Sequence, residues 1–244
     1  HDIGLNVWVE NGDVLFYMQR SGSLSENGEY LKLGRIRIRL DPNPFKECTS
    51  FRQELKLRES TVEIEGRGTD QGRSVSALVR VWVDVDEPVI YVDVDSGSPT
   101  EVAASYENWR TEDVELTDGH YGGRFGCFSL AGYPGKVIRH GDHVNHAEQG
   151  VLFYHRNPDD NLVPGLLIKQ QGLEAYADEI YDDIRHRTFG GVLQGGGFVA
   201  DGVEDGKYSF RVGPGLLKRR ARATVTRPTA RRGTHTDPHS EDGA

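Results

Sequence analysis

The first 18 residues carry the alternation of a β-hairpin. Asn11 and Gly12 separate two apolar-rich runs, and both residue types tolerate the positive φ angles of a two-residue type I′ turn. A turn at these residues pairs Val9 with Val14 and places Trp8 opposite a leucine on the next strand. Both faces of this hairpin are largely apolar, so we expect partner sheets to cover both of them.

Period-2 alternation continues along most of the chain. In Gly34–Leu40, Ile36 and Ile38 point inward while Arg37 points outward. Such runs recur roughly every ten residues with turn-forming residues between them, which is typical of a β-sandwich. The later predicted strands are KVIRHG, GVLFYHRN, GLLIKQQGL, TFGGVLQGGGFVADG and YSFRV. The segment Glu174–Ile184 is predicted as a short helical turn or a loop. The pattern predicts an all-β fold, a large antiparallel β super-sandwich of two packed sheets.

The composition changes at Gly213. Between Lys218 and Asp242 the chain holds seven Lys or Arg against three Asp or Glu, without clear alternation. This segment fits a disordered basic tail, a continuing strand region with poor patterning, or a gene read out of frame. The abruptness of the change favours the last interpretation. We therefore predict a β super-sandwich over residues 1–212 and a basic, poorly patterned tail over residues 213–244.

Composition excludes some functions and leaves others open. The 244 residues are an ordinary length for one all-β unit. A net charge of −9 disfavours nucleic-acid binding, which requires a basic face. No apolar run reaches the length of a membrane-spanning helix, so we expect no membrane partner. Cys48 and Cys127 permit one disulfide at most, and nothing in the sequence requires it.

The sequence gives only weak signals for a metal site or for acid–base catalysis. His140, His143 and His146 recur at three-residue spacing, and three imidazoles are able to hold a metal ion. That spacing suits neither face of a strand, so we favour an exposed polar loop and predict no metal and no cofactor. Asp and Glu are abundant, but no pair of them stands out as the acid and base of a glycosidase, so we identify no catalytic residue.

Aromatic and planar polar side chains stand at the ends of two predicted strands. Trp109 and Arg110 follow one strand, and His155, Arg156 and Asn157 end another. An aromatic face stacks on the C–H groups of a sugar ring, while Arg, His and Asn hydrogen-bond its hydroxyls. These five residues are the candidates for carbohydrate binding. The alternative is that Trp109 packs in the core and Arg156 pairs with a carboxylate.

Several motifs in order along the chain resemble an uncharacterised bacterial family of glycoside-hydrolase-like proteins. They are DIGLNVWVENGDVLFY, LSENGEYLKLGRIRIRLDPNPF, FRQELKLRESTVEI, ENWRTE, FYHRN and HRTFGG, spread over residues 1–212. Members of that family carry this domain in front of a six-hairpin, (α/α)6-type glycosidase module. The family opening Gly-Asn-Gly-Asp-Ile-Gly survives here only as Asp2-Ile3-Gly4, which indicates a truncated first strand.

The resemblance implies a fold, a role and a location. The fold is an N-terminal β super-sandwich similar to that of α-L-fucosidase-like and maltose-phosphorylase-like enzymes, and the location is periplasmic or extracellular. The catalytic carboxylates are expected in the helical module, so this chain is not expected to be an active hydrolase alone. Its expected role is to pack on the (α/α)6 domain and shape the rim of the active site. A stand-alone carbohydrate-binding module and a truncated gene product without function stay open as alternatives.

Overall fold

The computed structural model describes residues 3–117, 130, 132–147, 150–159, 162–215 and 218–229. Its strands are β1 (Ile3–Glu10), β2 (Asp13–Arg20), β3 (Gly34–Asp41), β4 (Cys48–Lys56), β5 (Thr61–Asp70), β6 (Arg73–Val83), β7 (Val89–Ser96), β8 (Thr100–Glu107), β9 (Val114–Leu116), β10 (Val137–Arg139), β11 (His143–Ala147), β12 (Gly150–Arg156), β13 (Thr188–Gly195), β14 (Val199–Glu204), β15 (Lys207–Gly215) and β16 (Lys218–Thr229). An α-helix, α1 (Leu162–Gln170), and a 3-10 helix (Glu174–Glu179) lie between β12 and β13.

Two antiparallel sheets contain nearly all of these strands, which confirms the all-β prediction. One sheet has six strands in the order β1-β2-β3-β8-β15-β14, and the other has eight in the order β11-β12-β13-β16-β7-β6-β5-β4. The main core lies between them and draws buried side chains from both. Tyr106 of β8 stacks on Phe153 of β12, with ring centroids 4.1 Å apart, and so joins the two sheets. The short pair β9-β10 and α1 enclose a smaller second core.

The N-terminal hairpin forms in the predicted register. Val9 pairs with Val14, and Asn11 (φ 53°) and Gly12 (φ 84°) form the turn. Leu15 points to the face opposite Val14, and both side chains are fully buried. Only the face of β2 with Val14 belongs to the core between the sheets, so the expectation of partner sheets on both faces of the hairpin is wrong; side chains of the same sheet surround Leu15 on the outer face.

Two strand predictions are wrong. TFGGVLQGGGFVADG divides into β13 and β14, which lie in different sheets, and GLLIKQQGL lies in α1 and the turn that follows it. Pro164 occupies the first turn of the helix, where a missing backbone N–H costs nothing. Gly172 has a φ of +67°, and its N–H donates to the carbonyl of Lys169 beyond the helix end. Val163 anchors the helix in the second core. The predicted short helical turn after it is present as the 3-10 helix.

The chain also forms strands beyond residue 212, where the sequence predicts a poorly patterned tail. Strand β15 continues to Gly215, so the boundary predicted after residue 212 falls inside a strand. Strand β16 pairs with β13 on one side and with β7 on the other, inside the eight-stranded sheet. Residues 218–229 therefore match the interpretation of a continuing strand region, and residues 230–244 lie outside the described part.

Two further findings concern membrane-spanning helices and the cysteines. Within the described residues no helix is both long and apolar enough to cross a bilayer. Cys48 is exposed at the start of β4, whereas Cys127 lies outside the described residues, so a disulfide between them is not tested.

Candidate functional site

His155 lies at one end of the core between the two sheets. Alternation along β12 places Val151, Phe153 and His155 on the inner face, and His155 is the last of the three. Only 2% of this residue is exposed, and its ring stacks on Phe189 of β13 with centroids 5.3 Å apart. A buried imidazole needs hydrogen-bond partners for both nitrogens.

Both of those partners are carboxylates. His155 Nδ1 lies 2.9 Å from Asp142 Oδ1, and its Nε2 lies 2.9 Å from Glu26 Oε2. Burial opposes charge on the ring, but the hydrogen bonds that the ring donates to Asp142 and Glu26 outweigh it and raise the pKa of His155. Burial likewise opposes charge on Glu26, yet its bonds from His155 and from the backbone N–H of His140 lower the pKa of the carboxyl. The arrangement thus favours an imidazolium between two carboxylates.

Arg110 completes this group. Its Nε and Nη2 donate to the two carboxylate oxygens of Asp142 at 3.0 and 2.6 Å, a bidentate pair. Nη2 also donates to the backbone carbonyl of Lys32 at 2.8 Å. We call Glu26, Arg110, Asp142 and His155 the buried ion cluster. Two cationic and two anionic side chains balance in it, so none is left as an uncompensated buried charge.

Asn157 and Arg156, the other two candidates at the end of β12, point in opposite directions. Asn157 is fully buried, and its Nδ2 donates to the carbonyls of Leu24 and Ile184 at 3.1 and 2.9 Å. It thereby ties the segment after β2 to the segment before β13. Arg156 is exposed on the outer side of the sheet.

Trp109 lies at the surface beside the buried ion cluster and is 49% exposed. Its ring meets Tyr17 at 89°, with centroids 5.7 Å apart, and Tyr17 lies 4.9 Å from Trp8. Lys32 Nζ lies 4.1 Å from the centroid of the Tyr17 ring, and Arg110 Cζ lies 5.6 Å from the Trp109 ring. We call Trp8, Tyr17 and Trp109 the aromatic corner.

Charged side chains of β2, β3 and β8 form a ladder on the same outer face of the six-stranded sheet. Arg35 and Arg37 both pair with Glu107, while Arg37 and Arg39 both pair with Asp13. Burial opposes charge on the two carboxyls, but the hydrogen bonds from the arginines outweigh it and lower the pKa of each. A general acid needs the opposite, a raised pKa.

His140, His143 and His146 do not converge, and the predicted polar loop is in part the strand β11 (His143–Ala147). His140 Nδ1 lies 3.0 Å from a carboxylate oxygen of Asp113, and His146 Nε2 lies 3.0 Å from the carbonyl oxygen of Ser209. His143 instead stacks on a tyrosine. In the part of the chain that the structure describes, no group of three His, Cys, Asp or Glu side chains has the geometry of a metal site.

The structure thus divides the five predicted residues. Arg110, His155 and Asn157 are buried with internal partners, while Trp109 and Arg156 are exposed. Sequence reasoning missed Glu26 and Asp142, which lie in connecting segments without a distinctive pattern. It also missed the aromatic corner, although alternation in the hairpin places Trp8 and Tyr17 on one face.

The fold and the site define a protein of two antiparallel sheets. The charged side chains of its buried ion cluster are paired with one another. The chain belongs to the family described as "Domain of unknown function (DUF5703)", whose N-terminal model matches residues 1–212. A search of curated proteins found no match.

Proposed function

We propose that this chain is a non-catalytic N-terminal β-sandwich domain of a glycoside-hydrolase-like protein. In this role it packs on an (α/α)6 catalytic domain and shapes the rim of the active site. The motif resemblance over residues 1–212 supports the proposal. The observation that carries it is the buried ion cluster, because Glu26 and Asp142 are fully engaged by internal cations. Carboxylates so placed do not reach a substrate as acid or base.

The buried ion cluster also supports a shaping role. Its members come from four places in the chain: the β2–β3 connection, the segment after β8, the segment before β11, and β12. Their mutual bonds hold these connections together at one end of the sandwich. A rim that orients another domain's active site needs rigid support of this kind.

The experiment that tests the non-catalytic role is an activity assay of the isolated chain. We expect no turnover of a panel of aryl glycosides by the wild type or by Asp142→Asn. Turnover by the wild type that Asp142→Asn abolishes, while circular dichroism shows both proteins folded, would overturn the proposal. Arg156→Ala is the matched control, because it changes an exposed charge outside the buried ion cluster.

A second candidate is a stand-alone carbohydrate-binding module. The half-exposed Trp109 beside Tyr17 favours it, because such rings supply apolar contact area at the surface. Glycan binding by the isolated chain that Trp109→Ala abolishes would support this candidate. Unchanged glycan affinity in Trp109→Ala would count against it.

A further inference from the structure

We propose that the aromatic corner and Lys32 form a subsite for an acidic sugar. Trp109 stacks on the sugar ring, and the Lys32 ammonium pairs with the carboxylate of a uronic acid. This inference rests on the carbohydrate-binding candidate and specifies its ligand class.

Trp109 is held in place before any ligand arrives. The backbone N–H of Asn108 donates to the carbonyl of Gly206 at 2.8 Å, and the side-chain oxygen of Asn108 accepts from the backbone N–H of Arg110 at 3.0 Å. Both chain neighbours of Trp109 are therefore fixed, and the Tyr17 ring packs against its indole at 89°. A pre-organised ring loses little conformational entropy when it binds.

Lys32 supplies a positive charge over Tyr17, the ring that also contacts Trp109. Of the cations around the aromatic corner, Arg35 pairs with Glu107 and Arg110 pairs with Asp142. The described residues place no carboxylate within ion-pair distance of the exposed Lys32 side chain, whose ammonium lies over the Tyr17 ring. The ring orients the ammonium through a cation–π contact without neutralising its charge.

The position of Lys32 is itself fixed by the buried ion cluster. Arg110 Nη2 donates to the Lys32 carbonyl. The buried Arg110 side chain therefore anchors the backbone of Lys32, whose own side chain is at the surface. Tyr17 contacts both Lys32 and Trp109, so the ammonium and the indole flank one tyrosine. The Lys32 ammonium is a single point charge, and each uronic acid residue carries one carboxylate to pair with it.

The test is affinity electrophoresis of the purified chain in gels that contain acidic polysaccharides. The probes are polygalacturonate, alginate and glucuronan, each paired with its carboxyl-reduced, neutral counterpart. We expect retardation by at least one acidic polymer and about tenfold weaker binding to its neutral counterpart, the loss expected for one charge-assisted contact. Lys32→Gln is expected to weaken the acidic interaction by about the same factor. Lys46→Gln, an exposed lysine beside the Asn11-Gly12 turn, is the control and should bind like the wild type.

The outcomes separate this inference from the proposed function. Equal binding of acidic and neutral polymers, unaffected by Lys32→Gln, would overturn the acidic-sugar subsite and leave the carbohydrate-binding candidate standing. No retardation by any polymer would overturn both, and would leave the accessory-domain proposal to its own experiments. Retardation that Lys46→Gln weakens as much as Lys32→Gln would show attraction to net charge alone, and would also overturn the subsite.

Discussion

Replacing His155 with alanine removes the central member of the buried ion cluster. Glu26 then loses its cationic partner and keeps the backbone N–H of His140 and a 3.3 Å bond from Asn27. Asp142 keeps both bonds from Arg110. The substitution therefore leaves the buried charge of Glu26 poorly compensated, whereas Asp142 stays paired with Arg110.

The magnitude follows from this asymmetry. Breaking a buried ion pair by removing one partner costs about 3–5 kcal/mol, because the other charge stays buried. The two hydrogen bonds of His155 are not additive, since Asp142 retains its second cation. The lost stacking on Phe189 adds a packing cost. We expect the free energy of unfolding to fall by about 4 kcal/mol in total.

Urea denaturation followed by tryptophan fluorescence measures this loss. With an m-value of about 3 kcal/mol per M, the midpoint should move down by about 1 M. Arg156→Ala is the matched control, since it alters the next residue along the strand on the exposed side. A loss below about 1 kcal/mol for His155→Ala, close to the cost of a surface substitution, would refute the assignment of a buried ionic role.

Four further predictions concern stability. The raised pKa of His155 means that its contribution to stability is complete below about pH 6.5 and is lost as the pH rises through the higher folded-state pKa. Wild-type stability should therefore fall as the pH rises above about 6.5, and His155→Ala should not show this fall. The lowered pKa of Glu26 affects stability at acid pH. Its contribution to the free energy of unfolding is present above about pH 4.5 and is lost as the pH falls through the lower folded-state pKa. Glu26→Gln should therefore lose less stability on acidification than the wild type. Gly34→Ala should cost at least about 2 kcal/mol in urea denaturation, because φ is +136° and a Cβ would overlap the Tyr106 ring; an unchanged midpoint would contradict that packing. A chain that ends after Gly213 should be insoluble or unfolded by circular dichroism, because β13 and β7 lose the strand between them; a soluble, folded product would contradict the position of β16.

The sequence predicts most of the fold because alternation and turn residues are local signals. The hairpin register follows from Asn11-Gly12, and the inner face of β3 follows from Ile36 and Ile38. The segment GLLIKQQGL misleads because a short apolar run fits a strand and a helix equally well. Pro164 near its start and Gly172 near its end are the signals that favour a helix.

Strand β16 is hidden by its composition rather than by its pattern. Ala221, Ala223 and Val225 alternate with polar residues, but small and charged side chains give a weak hydrophobic signal. A central strand gains from pairing on both sides, and that depends on β7 and β13, which are distant in the chain. Such pairing overrides the low strand propensity of the segment.

The candidate site is predictable only in part. The alternation of Val151, Phe153 and His155 places the histidine inside, although histidine and arginine at a strand end also fit a surface binding site. The carboxylates that make burial possible come from connections remote in sequence, so no local pattern reveals them. Trp109 is exposed, and its partner Tyr17 lies on the hairpin face that the alternation also gives to Trp8.

The most direct test of the proposed function combines this chain with an (α/α)6 glycosidase module of the kind that the proposal requires. The two parts are produced separately, mixed and analysed by size exclusion, and their glycosidase activity is measured together and apart. We predict a one-to-one complex, no turnover by this chain alone, and a change in the kcat or KM of the module when the chain is bound. Absence of a complex, with identical kinetic constants for the module in the presence and absence of the chain, would contradict the proposed function.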